Sequence, residues 1–132
     1  MYELGIIVVV AGAALLILIS ILSRPPKLNK QYYRDKWQAI EALLAGNQND
    51  WYRAVIDADK LLDHALKASN FKGKTMGDRL KSAHQMKNIN AAWAAHKLRN
   101  KLVHDSDIRL KQNYANAAVR SFQVIMKDLG AL

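Results

Sequence analysis

The sequence predicts an all-α protein: one N-terminal transmembrane helix followed by a bundle of four to five helices. Three observations predict it. A continuous apolar run opens the chain, a helical periodicity governs everything after Asn29, and no stretch alternates as a half-buried strand does. The length of 132 residues suits one compact domain with an appendage and is short for two. Cysteine is absent, which excludes a disulfide framework, a cysteine zinc site and thiol catalysis. Charge is divided unevenly. Glu3 is the only charged side chain in residues 1–22, so the rest holds all 20 basic groups and 10 of the 11 acidic ones, a net +10.

Residues 1–23 read as a transmembrane anchor, 24–30 as a basic juxtamembrane linker and 31–132 as the helical domain. From Leu4 to Leu22 there is no charge and one polar residue, Ser20. At helical rise this run is about 28 Å long, close to the hydrocarbon thickness of a bilayer. A signal peptide would open with basic residues, have a shorter apolar stretch and end in a small-residue cleavage site, none of which fits here. An acid precedes the run, whereas Arg24, Lys27, Lys30, Arg34 and Lys36 follow it. Positive flanks stay inside, so the expected topology is single-pass in the cell membrane, N-terminus outside and domain cytoplasmic. Pro25-Pro26 ends the helix for want of an amide proton. The basic stretch beyond, interleaved with Tyr32, Tyr33 and Trp37, fits either contact with anionic headgroups or a solvated helix start that only sets topology. Gly5 and Gly12 share one side of the anchor, a weak signal for pairing of membrane helices.

In the domain, a first helix is expected over Lys30–Ala45, with Tyr33, Trp37, Ile40, Ala42, Leu43 and Leu44 apolar and Gly46 ending it. The cluster Asn47–Asp50 makes a turn and cap. A second helix to Ala68 gathers Ala54, Val55, Ala58, Leu61, Leu62 and Ala65, with Asp57–Lys60 and Asp63–Lys67 at ion-pair spacing on its other side. Asn70–Lys74 is a loop containing Gly73. Thr75-Met76-Gly77-Asp78 is a capping box for a short helix to about Met86. Asn88 or Asn90 caps the next helix, which runs from Ala91 to His104 and stops at Asp105-Ser106-Asp107. A last helix over Leu110–Leu129 carries Tyr114, Ala117, Ala118, Phe122, Ile125 and Met126, and Gly130 terminates it. These helices can bury a single core.

The helix ending at His104 holds the residues with chemical potential. At 100° per residue, Ala91, Ala95, Leu98 and Leu102 share the core side, and Trp93, His96, Asn100 and His104 gather nearly opposite. Arg99 projects between the two faces. Arg99-Asn100-Lys101-Leu102-Val103-His104 resembles the Arg-polar-x-x-x-His signature of the HEPN superfamily, small helical bundles of which many are metal-independent ribonucleases in toxin and defence systems. The likeness extends loosely over residues 50–129: residues 54–63, Ala54 to Asp63, and residues 75–80, Thr75 to Leu80, are similar to segments of membrane-anchored bacterial relatives. Arg79 and His84 repeat the spacing without a polar residue after the arginine and on a short helix, which makes them a decoy.

The resemblance implies a homodimer with a composite site and, where active, an endoribonuclease that leaves a 2′,3′-cyclic phosphate. RNA cleavage by its own 2′-hydroxyl requires a base, an acid and positive charge at the phosphorus. Histidine serves either proton role, and arginine offers fixed planar donors to phosphate. Arg99 would hold the phosphate, His104 would be the acid or base, and Asn100 would orient one or the other. His96, Asp63 and Lys67 are secondary candidates, the last two through an acid-x3-base pattern also explained by an ordinary ion pair. A bland reading stays open beside this one, since cations favour a helix C-terminus and His104 can cap its last carbonyls. His64, His84 and His96 read as surface residues, and Trp93 as a packing or dimer-contact residue rather than a base-stacking platform. No cofactor or metal is expected; Asp59 and Asp63 sit one turn apart and would need a ligand from another helix. Expected partners are a second copy, RNA, the lipid bilayer through residues 4–22, and an antitoxin-like protein. A net +10 attracts RNA and an anionic leaflet alike. The alternative to a nuclease is a membrane-anchored helical interaction module without chemistry.

Overall fold

The computed structural model describes residues 2–132, which form six helices and no strand among the described residues. The opening apolar run is one helix, α1 (Tyr2–Leu22), apolar around its circumference and exposed along its whole length. It packs against no other helix and is long and apolar enough to cross a membrane. Residues 23–29 lead into the bundle. Leu28 in this stretch is buried in the core, so the linker is docked at its far end.

Helix α2 (Lys30–Leu43) starts where the Asn29 side chain accepts the Tyr32 amide, and it buries Tyr33, Trp37 and Ile40 at helical spacing. It stops before the expected Ala45. The Leu44 carbonyl accepts from the Trp51 indole at 3.2 Å and the Gln112 amide at 2.8 Å, and the last residues tighten into three-residue turns. Helix α3 (Gln48–Ala68) begins in a capping box between Asn47 and Asp50. All six expected apolar positions are buried, joined by Leu66 and by one carboxylate, Asp59. The helix closes with Asn70 in the left-handed region at φ 64° and the Phe71 amide bonded back to the Leu66 carbonyl at 3.0 Å, a Schellman ending.

Helix α4 (Met76–Ser82) has the expected Thr75/Asp78 capping box but ends a turn early, replaced by short turns through Met86. Asn88 precedes α5 (Ile89–His104) in a left-handed conformation at φ 69° and makes no side-chain cap bond, so neither asparagine caps as the sequence suggested. Asparagine tolerates that conformation better than most side chains, and the sharp turn uses it for that. Helix α6 (Gln112–Asp128) starts after a buried Leu110. Its core face keeps four of the six expected positions and is turned slightly at its edge. Ala115, Ala118, Val119, Phe122, Ile125 and Met126 are buried, while Tyr114 and Ala117 are exposed. Gly130 at φ 76° lets the Ala131 amide reach the Met126 carbonyl at 2.9 Å.

Helix α3 is central, touching α2, α4, α5 and, most extensively, α6. Leu62 and Leu66 of α3, Leu80 of α4 and Phe122, Ile125 and Met126 of α6 are among the largest fully buried side chains. Helix α5 packs on α6 but also on α3 and α4, so it carries two buried faces. One is apolar. The other is polar, and it forms one wall of a cleft.

Candidate functional site

Two of the secondary candidates and two of the primary ones meet at this second face of α5. A cleft of about 550 Å³ lies between α3, the start of α4 and α5, with Asp59 and Asp63 on one wall, Arg79 at one end and His96, Arg99 and Asn100 on the other wall. His96 and Asp59 are buried, at 7% and 2% exposure. The expectation that His96 lies on the surface is therefore corrected. Alanines at positions 92 and 95 face the core and leave room for α5 to sit close to its neighbours, which encloses the imidazole one turn along. Ala91, expected in the core, is exposed instead, and Leu98 is only half-buried.

The four groups form a ring. His96 Nδ1 lies 2.7 Å from Asp59 Oδ1; since a carboxylate only accepts, Nδ1 carries the proton. The Asn100 amide nitrogen lies 3.3 Å from His96 Nε2, the arrangement of a neutral imidazole accepting at that nitrogen. Arg99 donates from Nη1 to the Asn100 side-chain oxygen at 3.0 Å. Arg99 Nε then faces Asp59 Oδ2 at 3.4 Å, an ion pair without hydrogen-bond geometry, which leaves that buried N–H unpartnered. Proton direction runs one way, from guanidinium to amide to imidazole to carboxylate.

Beside the ring, Arg79 grips Asp63 through two bonds of 2.6 and 3.1 Å and donates a third to the Gly73 carbonyl at 2.6 Å. The Asp63 hydrogen bond raises the Arg79 pKa above its ordinary value, outweighing burial. The expected Asp63–Lys67 pair is thus not formed: Asp63 turns to α4 and Lys67 is exposed with no ion pair among the described residues. Asp57 and Lys60 likewise form none among them. The two carboxylates considered for a metal are both committed, Asp59 to His96 and Arg99, Asp63 to Arg79. Among the described residues no group of three or more metal-ligating side chains occurs. The decoy pair separates, with Arg79 buried on α4 and His84 exposed in the turn after it, a ring nitrogen 3.0 Å from the Lys81 carbonyl. His64 is exposed as expected, with Nδ1 2.9 Å from the Tyr33 hydroxyl.

His104 stands apart. It is exposed at the end of α5, makes no side-chain hydrogen bond among the described residues, and does not line the cleft. Five residues after Arg99 it is rotated by about 140° around the helix, so the two side chains diverge. The groups the sequence reading missed are Asp59 and the role of His96. A signal existed for the first: Asp59 lies four residues after Val55 and seven before Leu66, a carboxylate at the border of the apolar arc.

The mouth of the cleft is basic. Lys60, Lys74 and Lys97 line it, all exposed and none in an ion pair among the described residues. Half-buried Trp93 stands with its ring centre 6.0 Å from that of His96. A carboxylate-oriented histidine, an adjacent guanidinium and a cationic rim can together attract a phosphate ester and move a proton beside it. No protein-family model, no curated protein and no solved structure matches the chain.

Proposed function

We propose that the chain is a membrane-tethered HEPN-like domain, with α1 as the anchor and the bundle in the cytoplasm, that binds RNA in the α3–α4–α5 cleft and cuts it without a metal. The observation that carries this proposal is the Asp59–His96–Asn100–Arg99 ring opening onto a lysine-rimmed cleft. Asp59 fixes the imidazole so that Nε2 is the basic atom, as an orienting carboxylate does in other acid–base pairs. A ribose 2′-hydroxyl replaces the Asn100 amide at Nε2 and gives up its proton there. Its oxygen bonds to the adjacent phosphorus, the bond from phosphorus to the 5′-oxygen breaks, and that oxygen takes a proton from an acid. The products are a 2′,3′-cyclic phosphate and a free 5′-hydroxyl. Arg99, freed from Asn100, offers its donors to the phosphorane oxygens. The resemblance to HEPN proteins implies a composite site in a homodimer with His104 as acid or base, and we give the acid's role to the partner's His104.

Full-length protein incubated with single-stranded RNA in EDTA tests this. Wild type should leave cyclic-phosphate ends, and His96→Ala and Arg99→Ala should each lower the rate by about 10²–10³-fold. The nuclease proposal fails if wild type is inert or both variants cut at the wild-type rate.

One feature favours a second reading, a bundle that binds partners and does no chemistry. Asp59, His96 and Asn100 find their partners within the protein, as an interhelix brace would. Under it, His96→Ala lowers the melting temperature and leaves RNA affinity unchanged.

A further inference from the structure

A second cleft of about 550 Å³ lies between α3 and α2, next to the first along α3 and sharing Lys60 with it. Its floor is aliphatic, with Leu43 and Leu61, and its rim carries Lys36, Arg53 and Lys60 against one carboxylate, Asp57. The three cations are exposed and none is in an ion pair among the described residues. A cationic rim above an aliphatic floor is complementary to an anionic amphiphile.

Position in the chain says which amphiphile it meets. Residues 23–29 join α1 to α2, and seven residues fully extended reach about 25 Å. Burial of Leu28 takes up part of that reach. With α1 spanning a bilayer, the start of α2 is held within this distance of the headgroups. We propose that the α2–α3 cleft binds the headgroup of an anionic phospholipid, its phosphate between Lys36 and Arg53 and the first part of its acyl chains against Leu43 and Leu61. A nucleic-acid strand fits less well, because stacking needs open ring faces. The exposed rings lining the cleft, Tyr32 and His64, lie against each other with centres 5.5 Å apart, and Tyr32 also carries the Lys36 ammonium 5.8 Å from its centre. The inference rests on α1 as the membrane anchor and is independent of any RNA chemistry.

The test is native mass spectrometry of the full-length chain in detergent with phosphatidylglycerol, phosphatidylcholine, glycerol 3-phosphate or a short single-stranded RNA. Retention of phosphatidylglycerol should exceed that of phosphatidylcholine by about tenfold or more. A Lys36→Gln/Arg53→Gln variant should lose the preference, and an Arg120→Gln/Lys127→Gln control with the same charge loss on α6 should keep it. Lys36→Gln alone, at an exposed position, serves if the double variant shows altered helicity. Equal retention of both lipids, or loss in the control pair as large as in the cleft pair, overturns the proposal. So does glycerol 3-phosphate binding as tightly as the lipid, or RNA displacing it through Lys36 and Arg53. Failure of α1 as an anchor is read separately, from extraction of the protein out of membranes at alkaline pH.

Discussion

Arg79 ties together α3, the α3–α4 loop and its own helix, α4. Its guanidinium holds Asp63 of α3 with two bonds and the Gly73 carbonyl of the α3–α4 loop with a third, so a single side chain fixes the end wall of the cleft. Such a fork cannot be copied by an ammonium group. Arg79→Ala should cost about 2–3 kcal/mol in urea unfolding, less than for a fully buried pair because the Asp63 side chain keeps 31% exposure and is partly rehydrated. Arg79→Lys should recover only a small part of that loss. Next to it, Asp78 sits in the α4 capping box, and its pKa is lowered mainly by the Lys74 amide it accepts from and then by the Thr75 hydroxyl. A folded-state value below the unfolded one means stability that is complete above about pH 5 and fades as pH falls through the depressed value. The gap in stability between wild type and Asp78→Asn should therefore narrow steadily on acidification, as read from urea midpoints. A gap that stays constant or widens contradicts a charged cap.

Helix α6 shows what can be read from an element in isolation and what cannot. Two adjacent arcs of its surface are rich in small and apolar residues, one through Tyr114 and Ala117 and one through Ala115 and Val119. Ala118, Phe122, Ile125 and Met126 lie where the two arcs overlap and are buried as expected, and contact with α3 and α5 turns the face by about 50°, towards Ala115 and Val119 and away from Tyr114 and Ala117. Phe122, at 0% exposure, belongs to the selected arc, and Tyr114, at 59%, does not. Phe122→Ala should cost about 3–5 kcal/mol through the cavity it leaves, and Tyr114→Ala less than about 0.5 kcal/mol, both measured by thermal unfolding. Similar costs at the two positions contradict the observed rotation. The same distinction explains the rest of the sequence reading. The cap within Asn47–Asp50, the capping box at Thr75 and the Gly130 ending were legible because each is encoded within a few neighbouring residues. The polar wall of α5 was not, because burying His96 takes a carboxylate 37 positions earlier on another helix. Arg99 and Asn100 were singled out by a motif of their own helix and do line the cleft, whereas His104, chosen by the same motif, does not.

At the scale of the molecule, the chain separates into a helix that touches nothing and a bundle complete without it. Helix α1 contributes no buried side chain, and the first core residue after it is Leu28. Hydrophobic stabilisation follows area removed from water, and α1 removes none within one copy of the chain. A fragment beginning at Arg24 should therefore fold in water with the melting temperature of the bundle in the full-length protein held in detergent. A fragment beginning at Lys30 drops Leu28 and the Asn29 cap and should melt several degrees lower. The two fragments separate the role of residues 24–29 from that of α1, since both lack α1 entirely. With the longer fragment in hand, the charge of the cleft becomes measurable without lipid. Lys60, Lys74, Lys97 and Arg99 are four cations within reach of one strand. Neutralising three or four phosphates of single-stranded RNA releases that many counterions, giving a slope of log affinity against log salt of about −2 to −3. With RNA in the cleft as proposed, Lys97 would meet phosphate and read no base, so Lys97→Gln should flatten the slope by about 0.7 and weaken binding to all sequences alike. Fluorescence anisotropy with labelled oligonucleotides across a salt series measures both quantities. A slope near zero, or one left unmoved by Lys97→Gln, means that the strand does not lie in this cleft.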